Sequence, residues 1–146
     1  MASVEKSVLV RHSARNMFDL VSDIDAYPRF LPWCSGARVL SREGPQVTAE
    51  LAIDFHGLKQ RFTTVNDQHP VDRIDLRLVD GPFSRLAGAW TFTALADDAC
   101  KVELTLDYDF SNFVLKALVG PVFHQIASTM VDSFVRRADQ VAQRAG

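Results

Sequence analysis

The chain has 146 residues, of which 47% are hydrophobic and 23% charged, and its formal net charge is −2. This length suits a single domain, residues 1–146, which can bury a core without help from a metal or a disulfide. So small a net charge gives no basis for bulk electrostatic binding to DNA, and no run of about eighteen apolar residues marks a membrane span.

The first predicted elements are a strand and a short helix. The strand, Val4–Val10, is rich in β-branched residues that roughly alternate with polar ones. Ser13 has the residue type and position of a helix N-cap. The apolar residues that follow predict a helix over Ala14–Ser22, with Phe18 on its apolar side.

Residues 23–36, DIDAYPRFLPWCSG, contain two prolines, which prevent a long helix and predict an ordered loop. The loop carries more large apolar side chains than a segment lying in water would hold, namely Tyr27, Phe30, Leu31 and Trp33. Two interpretations stay open at this point. These side chains either plug one end of the core or form the mouth of a pocket.

After the loop, apolar residues recur with a period of two, which is typical of strands. Turn residues such as Gly44, Gly57 and Gly81 separate the apolar runs. Six strands are predicted: Ala37–Arg42, Gln46–Phe55, Leu58–Asn66, Arg73–Val79, Leu86–Leu95 and Lys101–Phe110. Consecutive strands joined by tight turns form an antiparallel meander with one apolar face and one polar face.

Beyond the last strand, Ser111 or Asn112 is expected to cap a switch to helix. Pro121–Ala145 then predicts an amphipathic helix about 36 Å long, with Pro121 in its first turn and Gly120 as a break before it. The apolar face of this helix comprises Val119, Phe123, Ile126, Met130, Phe134, Ala138 and Val141. A curved sheet closed by one long helix is an α+β two-layer fold. Whether the apolar face is all core or partly lines a ligand cavity stays open.

Motifs for catalysis and metal binding are absent from the sequence. The histidines are His12, His56, His69 and His124, and their spacing matches no metal site. Two residues with polar groups are predicted to face the interior, Tyr108 with its hydroxyl and Trp90 with its indole N–H, and Thr64 is a weaker third. The partner of each is either a nearby carbonyl or a ligand. So few polar groups favour a non-catalytic binding protein.

The two cysteines, Cys34 and Cys100, are far apart and lack metal or redox spacing, so they are predicted to be free thiols in a reducing compartment. The first residues, MASVEKSVLV, lack the pattern of a secretory signal. These features predict a cytoplasmic protein.

Three segments together resemble a known family: FDLVSDIDAYPRFLPWCSGARV, DGPFSRLAGAWTF and VFHQIASTMVDSFVRRA. They are similar to the coenzyme Q-binding protein and ribosome-association toxin family, which belongs to the START-like polyketide cyclase/dehydrase superfamily. The resemblance runs from about Val4 to Ala138. It implies the helix-grip fold, in which a curved antiparallel sheet wraps around a long C-terminal helix with a hydrophobic cavity between them.

The resemblance implies two activities. One is binding of a polyprenyl quinone such as ubiquinone, which supports respiration. The other is inhibition of ribosome association as the toxin of a toxin–antitoxin type system. The second would use a basic surface towards the large ribosomal subunit, and the candidates are Lys59, Arg61, Arg136, Arg137 and Arg144. A third reading, a polyketide cyclase or aromatase, would need more polar groups in the cavity.

The chain lacks an Arg- and Ser-rich mitochondrial leader, so it resembles the bacterial branch of the family. The expected location is the cytoplasm, and peripheral contact with the inner membrane stays open. Neither a catalytic residue nor a metal is predicted, and a hydrophobic ligand takes the place of a cofactor. Pattern and resemblance together predict that the ligand contacts Phe18, Tyr27, Phe30, Leu31, Trp33, Phe55, Phe62, Leu76, Phe83, Trp90, Phe92, Leu104, Tyr108, Val119, Phe123, Ile126 and Met130.

Overall fold

The structure, a computed structural model, describes residues 2–55 and 57–145, except for the side chains of Arg144 and Ala145. It contains seven strands and two α-helices. In chain order these are β1 (Ala2–Val10), α1 (Ala14–Ser22), a 3₁₀ turn (Ile24–Arg29), β2 (Cys34–Glu43), β3 (Gln46–Phe55), β4 (Leu58–His69), β5 (Arg73–Asp80), β6 (Phe83–Ala96), β7 (Ala99–Phe110) and α2 (Phe113–Ala145).

The seven strands form one antiparallel sheet in the order β1-β7-β6-β5-β4-β3-β2. Strands β2 to β7 follow one another as hairpins, and glycines with positive φ, Gly44 at 58° and Gly57 at 78°, provide two of the tight turns. The first strand closes the far side of the sheet by pairing with the last, with Ala2 opposite Tyr108. The predicted meander and the α+β helix-grip architecture are confirmed.

Three strands extend at least three residues beyond their predicted bounds, and β2 is the first of them, since it begins at Cys34 rather than at Ala37. Strand β4 continues past Asn66 to His69, and β6 begins at Phe83 rather than at Leu86. In β4 and β6 the additional residues pair with a neighbouring strand, which keeps them extended although their polarity no longer alternates regularly.

Helix α2 begins well before the predicted start, and the predicted break at Gly120 is wrong. The helix runs without interruption through Pro121. Asn112 caps its first turn, because the Asn112 side-chain oxygen accepts a hydrogen bond from the Leu115 N–H at 2.9 Å. A residue before proline usually avoids the helical region because its Cβ meets the proline ring, and Gly120 has no Cβ. The 33 residues make a helix of roughly 50 Å.

The C-terminal half of α2 is held by an aromatic cluster. Phe134 is fully buried, and its ring lies 5.2 Å from that of Tyr27, 5.3 Å from that of Phe30 and 5.2 Å from that of Trp90, all edge to face. Edge-to-face rings at this distance stabilise a core beyond simple burial of area. Val141, predicted to continue the apolar face, is instead exposed because it lies beyond this cluster.

The N-terminal turns of α2 differ from the rest of the helix because their apolar side chains face solvent. Phe113 is 82% exposed, and Val114 and Leu118 are each 62% exposed. In length and composition the helix could cross a membrane, with a mean hydropathy of 1.3 over its most apolar window. Its later turns instead bury Phe123 and Phe134 in the core of the protein.

Gly88 marks the closest approach of two strands, and we expect Gly88→Ala to lower the free energy of unfolding by about 3 kcal/mol. A Cβ at this position would lie 2.0 Å from the Thr105 carbonyl oxygen and 2.8 Å from a Leu106 methyl group. The matched control is Gly36→Ala, whose Cβ would lie 3.7 Å from the Ala52 Cβ, an ordinary contact. Urea unfolding of both variants tests the expectation, and equal losses would contradict it.

Candidate ligand-binding cavity

A cavity lies between the concave face of the sheet and helix α2, and residues 21–33 close one side of it. About 70 Å³ of it can hold the centre of a water molecule, within about 800 Å³ of empty space that includes open solvent at its mouth. The sheet contributes side chains from β3 to β7, and α2 contributes Phe123, Ile126 and Met130. The interior of the fold is therefore partly hollow, and the apolar face of α2 serves both the core and the cavity.

Nine of the residues predicted to contact a ligand lie on the cavity wall. They are Tyr27, Trp33, Phe62, Leu76, Trp90, Leu104, Phe123, Ile126 and Met130. Tyr27 and Trp33 belong to the proline-containing loop, so part of this loop forms the pocket, as one of its two interpretations proposed. Both tryptophans of the chain are on the wall.

The structure places the other eight predicted residues away from the wall: Phe18, Phe30, Leu31, Phe55, Phe83, Phe92, Tyr108 and Val119. Several of them pack on one another. Phe18 meets Phe92 at 5.7 Å between ring centroids, and Phe83 meets Tyr108 at 6.5 Å. They lie off the wall because their side chains pack into or against the apolar core that surrounds the cavity.

Strand β4 presents a row of polar side chains to the cavity, namely Thr64, Asn66 and Gln68. The Thr64 hydroxyl donates to the Asn66 side-chain oxygen at 3.0 Å. Only Thr64 was a candidate from the sequence. The alternation Phe62, Thr64, Asn66, Gln68 was available as a signal, but the predicted strand ended at Asn66. The remaining wall residues not predicted are Val21, Ser22, Ile24, Ala49, Leu51, Ile53, Ile74, Leu86 and Leu106.

The wall carries no charged side chain among the residues that the structure describes. Its one ionisable group is Tyr27, whose hydroxyl donates to the Val21 carbonyl oxygen. Burial, with smaller contributions from Cys34 and Asp23, raises the pKa of Tyr27 far above its usual range. Two buried polar atoms of the wall, Ser22 Oγ and Trp33 Nε1, have no hydrogen-bond partner within the described part of the protein.

The predicted role of Tyr108 needs correction. Its hydroxyl does not reach the cavity and lies 3.1 Å from Nδ1 of His124 on α2. The partner is thus neither a carbonyl nor a ligand but a histidine, because the buried Tyr108 ring packs edge to face on Phe123, the neighbour of His124 on α2. Burial raises the pKa of Tyr108.

Two other histidines pair with carboxylates at the surface. His12 Nε2 lies 2.6 Å from an Asp139 oxygen, and His69 Nε2 lies 3.2 Å from an Asp75 oxygen. His56 lies outside the described residues. Within residues 2–55 and 57–145, no group of three or more His, Cys, Asp or Glu side chains is arranged to hold a metal ion.

The basic residues proposed as one surface are divided between two faces. Arg61 is on the outer face of the sheet, where Glu50 contacts it at 3.6 Å and also contacts Arg38 at 3.4 Å. Arg136 and Arg137 are on α2, and the Arg137 guanidinium lies 5.3 Å above the Phe30 ring. The side chain of Arg144 lies outside the described residues.

Both tyrosines of the chain are buried, and burial raises the pKa of each phenol. The tyrosine side chains of the unfolded chain titrate at about pH 10. Because the folded pKa is the higher one, burial of the neutral phenols contributes stability below about pH 10, and this contribution is lost as the pH rises further. At about pH 10 we expect less phenolate absorbance from the folded protein than from the urea-unfolded chain. Equal absorbance from the two states, with unchanged circular dichroism of the folded protein, would contradict this.

Comparison with known proteins identifies the family. Residues 10–135 match the family described as polyketide cyclase / dehydrase and lipid transport. The ribosome association toxin RatA of Pseudomonas aeruginosa is 45% identical over 138 residues, which cover 94% of this chain and 96% of that protein. The mitochondrial coenzyme Q-binding protein COQ10 homolog B of Xenopus laevis is 25% identical over 143 residues, covering 95% of this chain and 59% of that protein.

A solved structure shows the same fold at low sequence identity. The Zhui aromatase/cyclase from Streptomyces sp. R1128 superposes with a TM-score of 0.88 at 17% identity, over 99% of this chain and 98% of that chain. So close a match of backbone at so low an identity concerns the fold alone. The chain therefore belongs to the polyketide cyclase / dehydrase and lipid transport family, as a START-like helix-grip protein in the group that contains the RatA and COQ10 proteins.

Proposed function

We propose that the protein is a non-catalytic carrier that binds a polyprenyl quinone of the ubiquinone class in its cavity and so supports respiration. The observation that carries this proposal is a partly open, mainly apolar cavity without charged side chains among the described residues. The relationship to a protein named for coenzyme Q binding supports the choice of ligand.

The physical basis of binding is removal of apolar surface from water. An isoprenoid tail lying against Leu104, Leu106 and Ile126 gains about 25 cal/mol for each Å² buried, so a modest length of tail is enough for useful affinity. A neutral quinone ring suits a neutral wall, since a charged group would be buried without a counter-charge.

The wall also supports the non-catalytic reading. General acid–base chemistry needs an ionisable group within reach of the ligand. Tyr27 is the one such group among the described wall residues, and its proton is already donated to the Val21 carbonyl. The likeness to an aromatase/cyclase, at 17% identity, concerns the fold alone.

The two wall tryptophans, Trp33 and Trp90, allow a direct test. Quinones quench nearby indoles, so a short-tailed ubiquinone should quench the intrinsic fluorescence of the purified protein with a saturable curve. Mass spectrometry of an organic extract should also find a quinone that co-purifies with the protein. Absence of quinone from the extract together with unsaturable quenching would overturn the proposal.

We propose ribosome association as a second candidate function, because the chain is 45% identical to a protein named ribosome association toxin over almost its full length. The two separate basic faces can be tested one at a time, because the exposed Arg136 lies on α2 and the exposed Lys59 lies on β4. Sucrose gradients of cells that overexpress the protein should show more free subunits and fewer monosomes. Arg136→Glu and Lys59→Glu then identify the face involved, and unchanged profiles for the wild type would remove this candidate.

For the site of action we propose the cytoplasm, with peripheral contact at the inner membrane where quinones are dissolved. The exposed apolar side chains at the start of α2, Phe113, Val114 and Leu118, are suited to shallow contact with a bilayer. Sedimentation with phospholipid vesicles tests this contact, and a protein that stays wholly in the supernatant would contradict it.

A further inference from the structure

We infer that the Trp33 indole N–H and the Ser22 hydroxyl together recognise an acceptor oxygen on the head of a neutral ligand. The inference rests on the proposed function, in which the cavity binds an apolar molecule, and it specifies the chemistry of that molecule's polar end. The ligand class is a neutral carbonyl compound, such as a quinone in its oxidised form, rather than a hydrocarbon or a fatty acid.

The two groups are unusual because they are buried without a partner. Trp33 is only 3% exposed, and its Nε1 atom, like Ser22 Oγ, is removed from solvent and lacks a hydrogen bond within the described part of the protein. Buried polar groups in folded proteins are paired in the large majority of cases. Both unpaired atoms belong to residues of one cavity wall, so a ligand that enters the cavity can provide the missing acceptor.

The backbone around these two residues is fixed before any ligand arrives. The Asp54 N–H donates to the Trp33 carbonyl at 2.9 Å, which ties the loop to the end of β3. Ser22 is the last residue of α1, and the next N–H, that of Asp23, donates to the Asp19 carbonyl at 3.1 Å. Groups held in place in this way lose little conformational freedom on binding.

The chemistry of the two groups selects the ligand. An indole N–H can only donate, and a serine hydroxyl can donate as well, so each suits a lone pair of a carbonyl oxygen. A carboxylate also accepts hydrogen bonds, but its charge would be buried on a wall where the described residues offer no cation. A hydrocarbon would leave both donors unpaired.

The test compares three probes by isothermal titration calorimetry on the full-length protein: a short-tailed ubiquinone, an isoprenoid hydrocarbon of similar length and a saturated fatty acid. The wild type should bind the quinone at least about tenfold more tightly than either of the others. Trp33→Phe should weaken quinone binding about tenfold and Ser22→Ala about fivefold, while hydrocarbon binding changes less than about twofold. Ser35→Ala on the outer face is the matched control and should leave quinone binding unchanged.

A second readout separates recognition from a structural role. Ser22→Ala removes no internal hydrogen bond, so the ligand-free variant should melt at the wild-type temperature or above it. A lower melting temperature, or quinone affinity that is unchanged in both variants, would overturn the inference and leave the carrier proposal in place. A wild type that binds none of the three probes would instead overturn the proposed function itself.

Discussion

Replacing Ala49 by phenylalanine is expected to weaken the proposed ligand binding strongly while the fold is kept. Ala49 is a small, buried residue on β3 whose side chain lies on the cavity wall, opposite Thr64 of β4. A phenyl ring there occupies the space of the ligand. If the ligand loses about 100 Å² of buried surface, binding weakens by roughly 2.5 kcal/mol, or about seventyfold.

The control for this variant is Ala52→Phe, which adds the same ring to the same strand. Ala52 alternates with the wall residues Leu51 and Ile53, so its side chain is on the outer face of the sheet. Quenching of tryptophan fluorescence by a short-tailed ubiquinone should be lost in Ala49→Phe and kept in Ala52→Phe. Equal binding by both variants, with native circular dichroism, would show that the ligand does not occupy the cavity.

The largest loss of stability is expected for Phe134→Ala, at about 3–5 kcal/mol of the free energy of unfolding. The Phe134 ring is fully buried and contacts three other aromatic rings, which belong to the loop and to β6. Its removal leaves a cavity that stiff aromatic neighbours cannot collapse into. Since Tyr27 and Trp90 also line the ligand cavity, quinone binding should weaken in the same variant.

Phe113→Ala is the matched control, because it removes the same ring from the same helix at a position that is 82% exposed. Its free energy of unfolding should stay within about 0.5 kcal/mol of the wild type. Chemical denaturation followed by circular dichroism measures both variants. Losses of similar size would mean that the C-terminal half of α2 does not anchor the core.

The fold was largely predictable because its signals are local. Period-two alternation identified every strand after the loop, and Ser13 acts as the predicted N-cap of α1, accepting from the Asn16 N–H at 3.0 Å. The uninterrupted course of α2 was not predictable from local rules, because Gly120–Pro121 normally ends a helix, whereas Asn112 is one of the two caps that the sequence predicted. Here the absence of a Cβ at Gly120 and the Asn112 cap keep the helix continuous.

The cavity was predictable only in outline. Alternation shows which residues share a face of the sheet, but the position of α2 along that face decides which of them reach the hollow part. Phe62 and Phe83 look alike in sequence, yet Phe62 lines the cavity and Phe83 stacks on Phe110 in the core beside it. Whether Ser22 Oγ and Trp33 Nε1 find a hydrogen-bond partner depends on the three-dimensional surroundings of each atom, which no sequence pattern records.

The pairing of the first strand with the last also constrains how the chain folds. Val10 pairs with Cys100 and Ala2 with Tyr108, so β1 can join the sheet only after nearly all later strands exist. Contacts this distant in sequence slow folding, typically to milliseconds or longer. During synthesis, at about 5–20 residues per second, the apolar side of β1 stays unpaired for several seconds. This is the period in which the nascent chain is most exposed to aggregation and most dependent on chaperones.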